Sequence, residues 1–531
     1  MNGRPPRRWL AFAAVCVAAV IAYAPSFLVP FQFDDHSRLM DNRALQEGRL
    51  LDAVLWLGNS RVVPSLTLVW NYRLGGLDPL GYHIVNFAVH LLATLGVFAL
   101  ALALCRTPRL RAACASERAL LLATAAALLF ACHPLQTQAI TYVIQRYTSM
   151  AALFYVWAVV CYLRARLRQV GIDRGRPGFQ FGAVAVLGVC AVLSKENAVS
   201  LPAALLLAEW VGFGWPRRWR AIGVGVAVTL VVLAVPVVWK TAFWQPYKKG
   251  WSASWTPLSQ RVIDAILAPR SSPPGGRPQP FAYLLTQATV LPRYFRLVAL
   301  PWGLNVDHDV PIAHALTPPV VAGAVAILGL VGVGLSQIRG RPLAAFAILW
   351  VFVTLSVESS FVPIDDVMVE HRMYLPMAGV AVGAGALFAA AVARWRRVAM
   401  GVGGIAAAAL VALAFARNVI WLTPVTLWLD AAEKSPAKVR PQTNAGVAYH
   451  QVGLLDEAVQ RYCKALKLDP SDKSTRDNLA IALEAQHKIG QITGHAVEAD
   501  GVEGAPPGSL VIEIDPDDDT ANTDLAAKFC P

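Results

Sequence analysis

Asp34 and Asp35 stand side by side in the stretch QFDDH, where the first long apolar run of the chain ends. Carboxylates at a membrane edge are costly unless they are paired or used. One reading is a solvated loop start or a helix-terminal pair. The other is general base catalysis, in which one carboxylate takes a proton from a hydroxyl while its neighbour holds the substrate. The sequence does not say which of the two would be the base.

Further groups able to do chemistry lie at comparable places. CHPLQTQAITYVIQRYTSM contains His133, Arg146 and the amides of Gln136, Gln138 and Gln145, which could bind sugar hydroxyls. The bland alternatives are a capping histidine and an arginine snorkelling to headgroups. LSKENAVSLP wedges Lys195 and Glu196 between two apolar blocks. Neighbours on a helix do not face each other, so each needs a partner elsewhere, either an ion pair to another span or a bound phosphate. IDDVMVEHRMYLP supplies Glu370, His371, Arg372 and Tyr374. Arginine matches phosphate oxygens two at a time, and histidine would add a second cation. NVDHDVP places Asp307, His308 and Asp309 close together, a weak candidate for a divalent metal. Together these groups imply a cavity for an anionic head group attached to a lipid.

The elements that must position them are apolar. The chain of 531 residues is 56% hydrophobic and 15% charged, with a mean hydropathy of +0.48. Eleven spans are expected, near 9–30, 82–104, 118–133, 145–163, 179–194, 197–213, 221–240, 315–336, 342–357, 375–393 and 398–420. Every second loop is rich in arginine, as with Arg106, Arg109, Arg111 and Arg118 between the second and third spans. That alternation places the N-terminus inside and the C-terminus outside. It also assigns the net charge of +13 to membrane orientation and argues against a nucleic-acid partner. The first helix is expected to remain uncut although AYA resembles a signal-peptidase site. Large outer loops fall at 31–81 and 241–314, the second with a Pro/Gly linker at 271–280. The apolar stretch after it, broken by Pro292 and Pro301, reads as an amphipathic segment lying in the interface.

From about residue 424 the composition becomes soluble. Pro436 recurs as Pro470, Asn444 as Asn478 and Ala448 as Ala482, each pair 34 residues apart, the tetratricopeptide period. Gly453 allows the turn within one helix–turn–helix unit, and Ala448 and Ala458 allow its helices to approach. So short an array must lean on something else, for which the outer face of the membrane domain is the candidate. The domains expected are therefore 1–423, 424–490 and an acidic, disordered tail at 491–531. The eight cysteines show neither a disulfide framework nor a zinc pattern. Cys463 and Cys530 could pair, but Cys463 is better read as a small core residue.

FDDHSRLMDN, GYHIVNFAVHLL, HPLQTQAITYVIQR, LSKENAVSLP, FAYLLTQATVLPRYFRLVALP, EHRMYLP and the repeat from NAGVAYHQVG follow one another in a recognisable order. In these pieces the chain resembles the transmembrane and tetratricopeptide-repeat O-mannosyltransferase-like proteins, within the polytopic, lipid-sugar-dependent (GT-C-type) glycosyltransferases. The resemblance implies an all-α, GT-C-like membrane core with its active site on the extracytoplasmic face. It implies a polyprenyl-phosphate sugar as donor, mannose by family, and Ser/Thr hydroxyls of exported proteins as acceptors. An acid in the first outer loop is catalytic, which means Asp34 or Asp35. Family pattern and charge together give the donor phosphate to Arg146, Lys195, His371 and Arg372, with His133, Glu196, Glu370 and Tyr374 as further substrate-site candidates. Where relatives often carry a histidine or acid after the HP motif, this chain has Gln136 and Gln138. The repeats would present the acceptor or a partner protein, in what is expected to be a bacterial inner membrane. A glycan or lipid acceptor, and a non-catalytic scaffold recruiting envelope proteins, are the competing readings.

Overall fold

The computed structural model describes residues 7–49, 52–54, 61–214, 278–360, 363–493 and 530. The described residues form helices, turns and loops, without strands. Two units divide the chain: Met1–Leu304 with Val310–Val419, and Asn305–Asp309 with Ile420–Pro531.

Counting helices of ten or more residues, the first unit contains α1 (Arg7–Tyr23), α2 (Val62–Gly75), α3 (Pro79–Cys105), α4 (Ser116–Cys132), α5 (Arg146–Gln169) and α6 (Gly178–Val192). It continues with α7 (Leu201–Phe213), α8 (Pro280–Ala299), α9 (Pro318–Gly340), α10 (Pro342–Leu355), α11 (Pro376–Arg394) and α12 (Arg396–Ile420). Helices coincide with ten of the eleven expected spans; the seventh, at 221–240, lies outside the described residues, as does the linker at 271–277. Among the described residues six helices can cross a membrane by length and hydropathy, or seven if the bent pair Ser116–Cys132 and Pro134–Thr141 is one span. That count leaves out the seventh expected span, so it does not bear on the expected eleven.

Local chemistry explains the starts. Proline stands at the first turn of α3, α8, α9, α10 and α11, where its missing N–H costs nothing. Asp78 caps α3, accepting the Leu80 N–H at 3.0 Å. Close approach is bought by small residues: a Cβ on Gly385 of α11 would collide with the Leu122 carbonyl of α4. On α12, Val402 and Ile405 are 61% and 74% exposed, an apolar outer surface suited to lipid. The stretch expected to lie in the interface is the continuous helix α8, with Pro292 inside it and Tyr283 and Tyr294 fully buried.

The second unit holds α13 (Pro424–Lys434), α14 (Val439–Gln451), α15 (Leu455–Leu468) and α16 (Lys473–Thr493). Gly453 takes a φ of +79° in the turn between α14 and α15. Ala448 and Ala458 are buried, and a Cβ on Gly446 would stand 2.6 Å from the Tyr462 ring. Cys463 is disulfide-bonded to Cys530, with Cα atoms 5.0 Å apart, which corrects its reading as a core thiol. The acidic tail between 494 and 529 lies outside the described residues.

Asp307 belongs to this unit. Its carboxylate pairs with Lys438 and Arg440, and Asn305 bonds to Ser435 at 2.8 Å. Burial opposes the charge on Asp307, yet Arg440 and Lys438 hold its pKa below the ordinary carboxylate range. The residue considered as a metal ligand with His308 and Asp309 is thus an ion-pair centre. Among the described residues no group of three or more His, Cys, Asp or Glu side chains gathers.

Candidate active site

Phe33 sets the turn that separates the two aspartates. Its φ of 51° lies in the left-handed region, which a bulky residue enters only under constraint. Asp35 is 1% exposed, and its two oxygens accept the backbone N–H groups of Gln32 at 3.1 Å and Ile144 at 2.8 Å. Burial pushes its pKa up to about 7, against the pull of those backbone bonds. Asp34 is exposed. Its N–H donates to Tyr142 Oη at 2.9 Å, and the Phe33 and Tyr142 rings lie 5.3 Å apart. Asp35 ties the loop to the chain before α5, whereas Asp34 is presented.

Cations gather nearby. Arg61, at the start of α2, sits 5.2 Å over the Tyr147 ring and donates to Glu196 Oε2 at 3.1 Å. Tyr147 is in electrostatic range of Arg61, Arg38 and Asp35, which links the aspartate turn to this group. Lys195 breaks the chain between α6 and α7 in an extended conformation. Its Nζ lies 2.7 Å from Glu358 Oε1 and 3.1 Å from Thr148 Oγ1. The other Glu358 oxygen accepts from Asn197 at 3.1 Å. Arg372 donates to Tyr283 Oη at 3.1 Å and to the Val367 carbonyl at 2.9 Å, and Tyr283 donates to the Glu358 carbonyl. Burial works against the Glu358 charge, but Lys195 and Arg372 hold its pKa below the ordinary range. Burial, with Arg61 and Arg372, lowers that of Lys195.

Several expected site residues are placed otherwise. Arg146 is fully buried, and its guanidinium is spent on Asn86, Asn71, Thr67 and the Tyr82 carbonyl, so it clamps α5 to α2 and α3 and is not open to a phosphate. His371 is held neutral: burial and the charges of Lys195, Arg372 and Arg61 drive its pKa well below the ordinary imidazole value. Its N–H and Nδ1 both meet Gln138 Oε1, at 2.9 and 3.1 Å. His133 caps the end of α4, with Nδ1 accepting from Leu135 and Nε2 facing the Val298 carbonyl. Tyr374 is bonded to His90 inside the bundle at 2.8 Å, and Glu370 faces Arg417 at 3.9 Å. All three are buried and face other groups of the first unit.

Lys195 and Glu196 have separate partners, as their adjacency requires. Two of those partners, Arg61 and Glu358, were not singled out in the sequence. Arg61 is one of five arginines between residues 31 and 81, and nothing beside it in sequence marks it. Glu358 lies between VTLSV and SSF, where a single acid among hydroxyls resembles an ordinary helix end. Gln145 accepts from Thr148, while the Gln136 amide is buried with no partner among the described residues.

The fold and the site define a polytopic, all-helical membrane protein with an acid-and-cation cluster joining the connections between its helices. No family model matches the chain. The chain is similar to protein O-mannosyl-transferase Tmtc3 of Drosophila melanogaster, 24% identical over 556 residues, 90% of this chain and 57% of that protein. It is similar to protein O-mannosyl-transferase F38B6.6 of Caenorhabditis elegans, at 21% over 85% of this chain and 62% of the relative. With protein O-mannosyl-transferase TMTC4 of Mus musculus it shares 30% over 34% of this chain and 27% of the relative. The chain therefore spans less than two thirds of the length of these relatives, whose names bear out the resemblance read from the motifs. The crystal structure of ArnT from Cupriavidus metallidurans bound to undecaprenyl phosphate aligns over 94% of this chain and 81% of that one, with a TM-score of 0.44 and 15% identity.

Proposed function

We propose that this protein is an integral-membrane glycosyltransferase. It moves a sugar, mannose by similarity to its named relatives, from a polyprenyl-phosphate donor to Ser or Thr hydroxyls of exported proteins. The observation that carries the reading is an exposed carboxylate, Asp34, next to Asp35, which shares the surroundings of Tyr147 with Arg61, while Arg61 and Arg372 both act on Lys195. A base and a phosphate site in one polar region are what the displacement needs.

Asp34 takes the acceptor proton as the hydroxyl oxygen attacks the anomeric carbon. The carbon–oxygen bond to the phosphate breaks, and the polyprenyl phosphate leaves with the bonding electron pair, inverting configuration. Arg61 is the favoured phosphate contact because its side chain is 35% exposed and its present partner, Glu196, is 45% exposed, so the pair can open to an anion. Lys195 and Arg372 add positive potential from behind, held in place by Glu358 and Tyr283.

The disulfide between Cys463 and Cys530 supports an oxidising compartment for the repeat unit. It agrees with the arginine pattern, which supports a C-terminus and a site outside the cytoplasm. The helix pair α14–α15 supports acceptor or partner presentation by the repeats.

The test uses purified full-length protein with polyprenyl-phosphate mannose and a Ser/Thr-bearing exported protein. Lipid-phosphate release is followed together with acceptor mass. Release matched by a hexose mass gain, and abolished in Asp34→Asn, is the expected result. Folded protein that releases nothing would overturn the enzyme reading in favour of a scaffold.

A further inference from the structure

A cavity of about 1080 Å³ opens at the arginine-rich ends of α1, α3, α4 and α5. None of the acids or cations of the candidate active site lines it. Its walls are apolar, with Leu95, Phe98, Leu102 and Trp157 among them, and its mouth carries Arg8, Arg106, Arg111 and Arg164. Among the described residues three acids stand close to these ends, one of them Glu209, which takes Arg166 in the last turn of α5. Asp173 takes Arg106, and Glu117 lies 3.7 Å from Arg7. Arg8, Arg111 and Arg164 are left exposed, with no acidic partner among the described residues. Arg109 is otherwise engaged: it donates to the Trp210 and Ile338 carbonyls and ties the neighbouring helix ends together.

Apolar walls beneath three exposed guanidinium groups that have no acidic partner among the described residues, one of them over the Trp9 ring, match one ligand shape: an acyl chain below an anionic head. We propose that this cavity binds an anionic phospholipid of the leaflet on the arginine-rich side. Its phosphate would sit among Arg8, Arg111 and Arg164, and its chain would run past Phe98 and Leu102 toward Trp157. Basic pockets between membrane helices hold such head groups because the low dielectric beneath them strengthens the attraction and the walls shield it from salt. The volume suits the head-proximal part of a lipid, being at the upper end of small-ligand pockets. The inference does not depend on the catalytic reading, since it uses the opposite ends of the helices and other residues.

The experiment is native mass spectrometry and thermal unfolding of the purified full-length protein in neutral detergent. Dioleoyl phosphatidylglycerol, dioleoyl phosphatidylcholine and inorganic phosphate are added separately. Phosphatidylglycerol should bind and raise Tm, while phosphatidylcholine and phosphate should not. Arg111→Gln with Arg164→Gln should weaken phosphatidylglycerol by about thirtyfold, each arginine being worth about fivefold. Leu102→Trp, which fills the cavity and keeps the charges, should weaken it as well. Equal binding of the two lipids, an unchanged affinity in the double variant, or the same Tm rise from phosphate alone would each overturn the proposal.

Discussion

Lys195 and Glu358 are separated by 163 residues in sequence, yet their charged atoms lie 2.7 Å apart with both side chains below 10% exposure. A buried pair of this kind adds little over an apolar pair, but removing one partner strands the other charge. Glu358→Gln should therefore destabilise the protein by about 3–5 kcal/mol, read as a lower Tm. Lys195→Met with Glu358→Leu should recover most of that stability while leaving transferase activity low. Recovery of activity along with stability would show that the pair supports the fold alone.

The two aspartates should separate cleanly. Asp34→Asn should keep stability within about 0.5 kcal/mol of wild type, as an exposed change does, and lose at least about 100-fold in kcat. Asp35→Asn turns an amide toward a backbone N–H that a carboxylate now accepts, costing about 1–3 kcal/mol of stability with a smaller loss of turnover. The reverse pattern would move the base to Asp35.

Asp35 also predicts a pH dependence. Its folded pKa, about 7, lies above its ordinary value of 3.8, so the native state holds the proton more tightly than the unfolded chain. The resulting stabilisation is complete below about pH 4 and is lost as pH rises through about 7. This contribution should be flat in Asp35→Asn. Tm measured between pH 4 and 8 for both proteins tests the sign.

Arg61→Gln should raise KM for the lipid donor by about tenfold or more with Tm little changed, because the half-exposed pair with Glu196 contributes little to folding. Glu196→Gln frees Arg61 and should lower KM. A rise in both variants would make the pair, and not the arginine, the element that matters.

Much of this architecture was legible in the sequence. Apolar blocks of bilayer length became helices at ten of the expected positions, because a lipid environment leaves the backbone little else to form. The 34-residue echo joins Asn444 of α14 to Asn478 of α16. The site was legible only in outline. Residue type marked Lys195, Asp34 and Arg372 as expensive, but the partner of a buried charge is set by tertiary contact, so Glu358 was invisible from LSKEN. Arg146 and His371 misled for the same reason. A guanidinium saturated by amides and an imidazole surrounded by cations read in one dimension as ordinary cations. Nor did spacing show that Phe33 takes a left-handed turn, which is what makes adjacent aspartates unlike.

The five residues Asn305–Asp309 have a consequence for how this protein can be cut and recombined. They come from the chain between α8 and α9, yet they complete the unit built from α13 to α16, where Asp307 pairs with both Lys438 and Arg440. That unit is consequently not a detachable cassette. Excised at its apparent start near residue 424, it would carry two basic residues facing a missing carboxylate. Transplanted onto another membrane protein, it would need the donor loop to travel with it.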